Sequence, residues 1–88
     1  MAQLDEVLLN LVRPMVEDPD KLAVEILSGE NSREVVLRVT AANDDIARLI
    51  GRKGSMASAL RQVMSVASHT DDKRVTIKFE EIDGEERA

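Results

Sequence analysis

The sequence predicts one α+β domain, a three-stranded sheet covered by three helices. Three observations carry that expectation. Apolar residues recur at helical spacing in two stretches, alternate with period two in three others, and capping residues bracket a further short helix. These segments run helix, strand, strand, helix, helix, strand, with no internal repeat and no linker. The chain has 88 residues, 43% apolar and 33% charged, which is enough for one thin core but not for two domains or a large internal cavity.

The first helix is expected over residues 4–16, where Leu4, Leu8, Leu11, Val12 and Met15 form a stripe that Val7, Leu9 and Val16 widen. Pro14 has no backbone N–H to donate, so the helix bends or restarts near Arg13. The run Glu17-Asp18-Pro19-Asp20 ends it. A strand follows at 22–27, with Leu22, Val24 and Ile26 alternating against Ala23, Glu25 and Leu27. Ser28-Gly29-Glu30-Asn31-Ser32 is a turn by composition. A second strand at 34–40 sets Val35, Leu37 and Val39 on one face, and the two strands make an antiparallel hairpin.

Asn43 is an N-cap candidate, and Asp44 and Asp45 suit the positive end of a helix dipole. This short helix stops at Gly51. The third helix runs from about Ser55 to Ser68. Its expected core stripe is Met56, Leu60, Val63, Met64 and Ala67, with Ser55, Ser58, Arg61, Gln62 and Ser65 on the other face. His69-Thr70-Asp71-Asp72-Lys73 reads as a loop. The last strand is 74–79, with Val75, Ile77 and Phe79 facing inward. Residues 1–80 form the domain, and 81–88 form a frayed acidic tail with Ile82 as its one candidate anchor.

Composition excludes several function classes. There is no Cys, hence no disulfide, no thiolate nucleophile and no Cys-based zinc site. With no Trp or Tyr and one Phe, the chain has no platform for stacking bases on aromatic rings. Its N-terminus carries Asp5 and Glu6 in place of a basic signal-peptide start, and no apolar run reaches membrane-spanning length. The expected compartment is therefore the cytoplasm. Lys and Arg number 12 against 17 Asp and Glu, a net charge of −5. The distribution is more informative than the total. Residues 46–70 hold Arg48, Arg52, Lys53 and Arg61 and no acid, so this segment is +4 and the rest of the chain is −9.

Inside that segment lies Leu49-Ile50-Gly51-Arg52-Lys53-Gly54-Ser55-Met56. Gly51 can end the preceding helix in a left-handed conformation. Gly54 lets the backbone come close to a ligand, having no Cβ. The next helix begins with free N–H groups and a partial positive charge, and Arg52 and Lys53 add two full charges. These are the parts of a phosphate clamp. The plain alternative is a helix–turn–helix joint that needs glycines and is solvated by basic side chains.

Ile50-Gly51-Arg52-Lys53-Gly54 resembles the Ile-Gly-x-x-Gly signature of KH domains. The element order resembles their bacterial, type II arrangement, and the resemblance spans residues 3–80. The size and the Arg13–Asp20 segment are similar to those of the small single-KH proteins of bacteria, the KhpA family. The resemblance implies a type II KH domain with a mixed three-stranded sheet. It implies a non-catalytic, single-stranded RNA-binding protein whose loop clamps the sugar-phosphate backbone. Gly51, Arg52, Lys53 and Gly54 would hold that backbone and Ile50 the apolar base of the groove. Ser55 and Ser58 would lie beside the loop, with Arg61 one turn on. It further implies a homodimer, or a heterodimer with a larger KH protein of the Jag (KhpB) type, and roles in post-transcriptional control, RNA chaperoning and cell shape. Arg48, Arg74 and Lys78 are candidates to extend the positive surface. Ser55 stands where relatives often carry another cation, which together with the acidic remainder implies affinity on the order of micromolar or weaker at physiological salt.

Other constellations are poor. His69 is the only histidine, without a nucleophile or acid partner in the sequence pattern, and reads as a helix C-terminal dipole contact. The pairs Asp44-Asp45, Asp71-Asp72 and Glu80-Glu81 fit helix capping and solvated surface better than Mg²⁺ ligation. No cofactor is expected. The competing function is a protein-interaction or dimerisation module that binds RNA only together with a partner.

Overall fold

A computed structural model of the chain describes residues 4–28, 33–69, 74–82 and 86–87. Helix α1, Leu4–Val12, buries Leu4, Leu8 and Val12, which recur every turn. It gives way to a 3-10 turn at Arg13–Met15, where Pro14 withdraws its donor. An extended strap, Val16 to Asp18, leads into a second 3-10 turn, Pro19–Lys21. Strand β1 is Ala23–Ser28 and β2 is Glu34–Ala41, paired antiparallel with Val24 opposite Val39 and Ile26 opposite Leu37. The turn expected at 28–32 lies, from residue 29, outside the described residues.

Helix α2 is Asn43–Ile50 and α3 is Ser55–His69. Strand β3, Arg74–Glu81, lies parallel to β2, with Leu37 opposite Ile77 and Val39 opposite Phe79. Parallel neighbours need a long crossover, and α2 with α3 supplies it. The two helices and the turn between them are thus fixed across one face of the sheet. The loop expected at 69–73 lies, from residue 70, outside the described residues.

The architecture is the expected α+β one, three helices on a mixed sheet of β1, β2 and β3. A two-residue strand β4, Glu86–Arg87, extends the sheet by pairing antiparallel with β3, Phe79 opposite Arg87. Part of the segment read as a frayed tail therefore returns to the sheet edge. The core comprises Leu4, Leu8 and Val12 of α1, Leu37, Val39, Ile77 and Phe79 of the central strands, and Ile46, Leu49, Ala57, Leu60 and Met64 of α2 and α3. The opposite sheet face is mostly polar, with Leu27 and Val36 as a half-buried apolar pair. There Arg38 of β2 donates to Glu25 of β1 at 2.8 Å and lies 3.2 Å from Glu80 of β3. The bond to Glu25 and the two carboxylate charges raise the pKa of this guanidinium.

Four details differ from the sequence reading. Asn43 is the first residue of α2 and not its cap; Ala42 holds that position without a side-chain cap, and its carbonyl accepts from the Ile46 N–H at 2.9 Å. Ile26 is 52% exposed, because β1 is an edge strand that the helix layer covers incompletely. In α3 the buried set is Ala57, Leu60, Met64 and Ser68, whereas Met56 and Val63 of the expected core stripe are exposed. The wide stripe on α1 is mostly packed inward, with only Leu11 reaching the exposed class among its large apolar residues.

Candidate functional site

The α2–α3 connection is built from three residues with positive φ. Gly51, at φ 78° and ψ 173°, closes α2 through its N–H to the Ala47 carbonyl at 3.0 Å. This is not the left-handed helical well the sequence suggested. It is the extended positive-φ region, which is essentially reserved for glycine. A Cβ at Gly51 would lie 2.8 Å from both the backbone N and the Cβ of Met56. Gly51 therefore lets α2 end directly against the first turn of α3. Gly54, at φ 77°, has no atom within 4 Å of where its Cβ would stand. It faces open space.

Between them Arg52, Lys53 and Gly54 form a 3-10 turn, and Lys53 sits at φ 57°, ψ 25°. It is the one non-glycine residue with positive φ among the described residues. Such outliers gather where function holds a chain in place. The Gly54 N–H donates to the Gly51 carbonyl at 3.1 Å and the Ser55 N–H to the Arg52 carbonyl. The first N–H groups of this joint are thus used within the turn itself, where the sequence suggested they would be free. The Arg52 and Lys53 side chains are exposed, and neither takes part in an ion pair among the described residues.

Of the remaining sequence candidates, Ile50 is half-buried against the core at the base of the turn. Ser55, Ser58 and Arg61 are exposed along α3. Arg48 is directed elsewhere. It donates to Asp45 Oδ1 at 2.5 Å and to Glu17 Oε1 at 3.2 Å, so its charge is balanced by two carboxylates. Arg74 and Lys78 alternate with the core residues Ile77 and Phe79, which places them on the sheet face away from the helix layer.

Asp45 is a structural residue the sequence reading took only for a dipole partner. It is 2% exposed, and its carboxylate accepts the backbone N–H groups of Glu17 at 3.0 Å and Asp18 at 3.1 Å. The Glu17 N–H bond, with the Asp18 N–H and Arg48 behind it, holds its pKa below the usual carboxylate range despite burial. It ties the strap after α1 to the helix that presents the turn. A signal existed in the sequence, since Asp45 is four residues before Leu49 and shares its buried face. An acid there needs partners.

Among the described residues no three His, Asp or Glu side chains gather as a metal site, and no helix is long and apolar enough to cross a membrane. Glu80 faces Arg38, and Glu81 is buried.

The chain is similar to bacterial proteins named RNA-binding protein KhpA. One from Lactiplantibacillus plantarum is 32% identical over 87 residues, covering 99% of this chain and 98% of the relative. One from Clostridium acetobutylicum is 29% identical over 76 residues, 86% of this chain and 99% of the relative. One from Bacillus subtilis is 28% identical, covering 86% of this chain and 91% of the relative. No solved structure matches the chain. The family model described as "KhpA/KhpB, KH domain" matches residues 5–79, from α1 through the two-glycine turn into β3. Element order, turn and matched span agree, and the chain belongs to the KhpA/KhpB KH-domain family, a family of RNA-binding domains and not of enzymes.

Proposed function

We propose that this chain binds single-stranded RNA without catalysis and grips the RNA backbone with the Gly51–Gly54 turn. It acts as a dimer in the cytoplasm, either with itself or with a larger KhpB-type KH protein, in post-transcriptional control or RNA chaperoning. The observation that carries this reading is the turn. Two unpaired cations project from a joint held at positive φ, beside a glycine whose Cβ position is open. Arg52 and Lys53 supply the attraction to phosphate, and Gly54 permits close approach of the sugar-phosphate chain. Ile50, Ser55, Ser58 and Arg61 flank the turn in sequence and provide apolar and hydrogen-bonding contact to the nucleotides it holds. Without aromatic rings to stack bases, sequence preference is low.

The test is fluorescence anisotropy of a labelled mixed-sequence single-stranded RNA, titrated with the natural protein and with the Arg52→Asp/Lys53→Asp variant. Circular dichroism first verifies that both are folded. Binding by the natural protein and loss of at least about tenfold in the variant supports the clamp. Equal binding by both refutes it. The second reading, a module that needs a partner to bind RNA, is favoured by the exposed Met56, Val63 and Val66 on α3. It predicts no binding by the isolated chain.

A further inference from the structure

The turn between α2 and α3 carries an exposed hydroxyl that the charges around it single out. Ser55 is the first residue of α3, and its Oγ makes no hydrogen bond among the described residues. That oxygen lies 3.2 Å from where a Cβ on Gly51 would stand, so the missing side chain of the glycine leaves it open. Arg52 and Lys53 lie three and two residues before Ser55, and in sequence no acid is nearer than Asp45 or Asp71. Two unpaired cations just ahead of an accessible hydroxyl suit the acidic substrate cleft of a protein kinase, because kinases select substrates by charge pattern. Of the other Ser and Thr residues, only Thr76 follows two cations at the same spacing, Lys73 and Arg74. Thr76 lies within β3, opposite Val36, on the sheet face away from the helix layer. A charge there leaves the turn untouched.

We propose that Ser55 is a phosphorylation site and that its phosphoryl group switches off the RNA clamp. The inference rests on the clamp reading above and adds its regulation. The donor is ATP, used by a serine kinase with an acidic cleft. Ser55 Oγ attacks the γ-phosphorus, and the bond from that phosphorus to the β–γ bridging oxygen breaks. ADP leaves, and the hydroxyl proton passes to the base of the kinase. A phosphatase reverses the change by hydrolysis, in which water replaces Ser55 Oγ on phosphorus and inorganic phosphate leaves.

The turn makes the product both effective and compatible with the fold. The Ser55 N–H donates to the Arg52 carbonyl, which holds the two residues together across the turn. A phosphoserine carries about −1.5 to −2 charge at pH 7 and three acceptor oxygens. Arg52 and Lys53 are its nearest cations in sequence, and an Arg–phosphate pair is bidentate and charge-assisted. The tethered phosphate therefore engages the same two side chains that would hold an RNA phosphate, and it removes up to half of the +4 charge of residues 46–70. At the first residue of a 15-residue helix the added charge also meets the positive end of the helix dipole. RNA binding is lost while the fold is kept.

Two measurements test the proposal. Fragment-ion mass spectrometry of the protein purified from its own cells, in growth and in stationary phase, should find one phosphoryl group on Ser55. Phosphoserine installed at position 55 by genetic-code expansion should weaken binding of the mixed-sequence single-stranded RNA at least about tenfold relative to the natural protein. The melting temperature should be equal or higher. Ser55→Glu, with less charge and fewer acceptors, should weaken binding less than phosphoserine does. Four results would overturn the proposal: no phosphate on Ser55 in either phase, phosphate on Thr76 alone, a phosphoserine protein that binds RNA as tightly as the natural one, or a phosphoserine protein that has lost its circular dichroism. Failure of the clamp itself reads differently, because the Arg52→Asp/Lys53→Asp variant then binds RNA as the natural protein does.

Discussion

Gly51 and Gly54 have different jobs, and the difference is measurable. Alanine at 51 meets the Met56 backbone at 2.8 Å in a conformation L-residues avoid. Gly51→Ala should cost about 2 kcal/mol or more in thermal or urea unfolding, since α2 and α3 must shift to admit the methyl group. Gly54→Ala meets nothing and should cost only about 1 kcal/mol, the strain of its positive φ. Its larger effect should be on RNA affinity. Asp45 makes the opposite kind of contribution, through two backbone donors and Arg48. Asp45→Asn keeps the size but loses the charge and half the acceptor capacity, a loss of about 1.5–3 kcal/mol at neutral pH. The sign of its pH dependence follows from the lowered pKa. The carboxylate stabilises fully above the unfolded-state value, and that stabilisation is lost as pH falls through the folded-state value. Urea melts should show the gap between natural protein and Asp45→Asn closing at strongly acidic pH.

At the scale of elements, α3 is where sequence reading was least secure. Helical periodicity shows which residues share a face but not which face meets the core. Met56 and Val63 belong to the apolar half of α3, yet the sheet accepts Ala57, Leu60, Met64 and Ser68. Small residues at 57 and 68 let the helix sit close, Leu60 and Met64 fill the space between them, and Met56 and Val63 are left outside. Leu60→Ala should therefore cost about 2–4 kcal/mol. Val66→Glu should change thermal stability by less than about 0.5 kcal/mol. The strands were easier to read, because alternation in Val35-Leu37-Val39 and Val75-Ile77-Phe79 gives the buried face directly. The return of Glu86–Arg87 to β3 was not legible, since two polar residues carry no period. The two-glycine turn was legible as the joint between α2 and α3, but its geometry was not. Nothing in the letters separates the extended positive-φ state of Gly51 from the left-handed one.

For the whole molecule, the central balance is an acidic body carrying one basic turn. The net charge of −5 opposes RNA at long range, and the proposed clamp sets Arg52 and Lys53 against that repulsion at contact. Counterion release predicts that affinity falls as salt rises, with a slope of roughly 0.7 per phosphate contact on single strands. Removing both cations should flatten that slope by about 1.4 if each meets one phosphate. The crossover that makes β2 and β3 parallel carries the turn on two packed helices, with Asp45 bracing the first. The turn should thus change little in shape on binding. The most direct measurement of the clamp is a titration of the ¹⁵N-labelled protein with a short single-stranded RNA, followed by backbone amide NMR. The account predicts shifts concentrated at Ile50 to Ser55, extending to Ser58 and Arg61, with the sheet face bearing Arg74 and Lys78 unmoved. Shifts confined to that sheet face, with the amides of Gly51 to Gly54 unchanged, would contradict it.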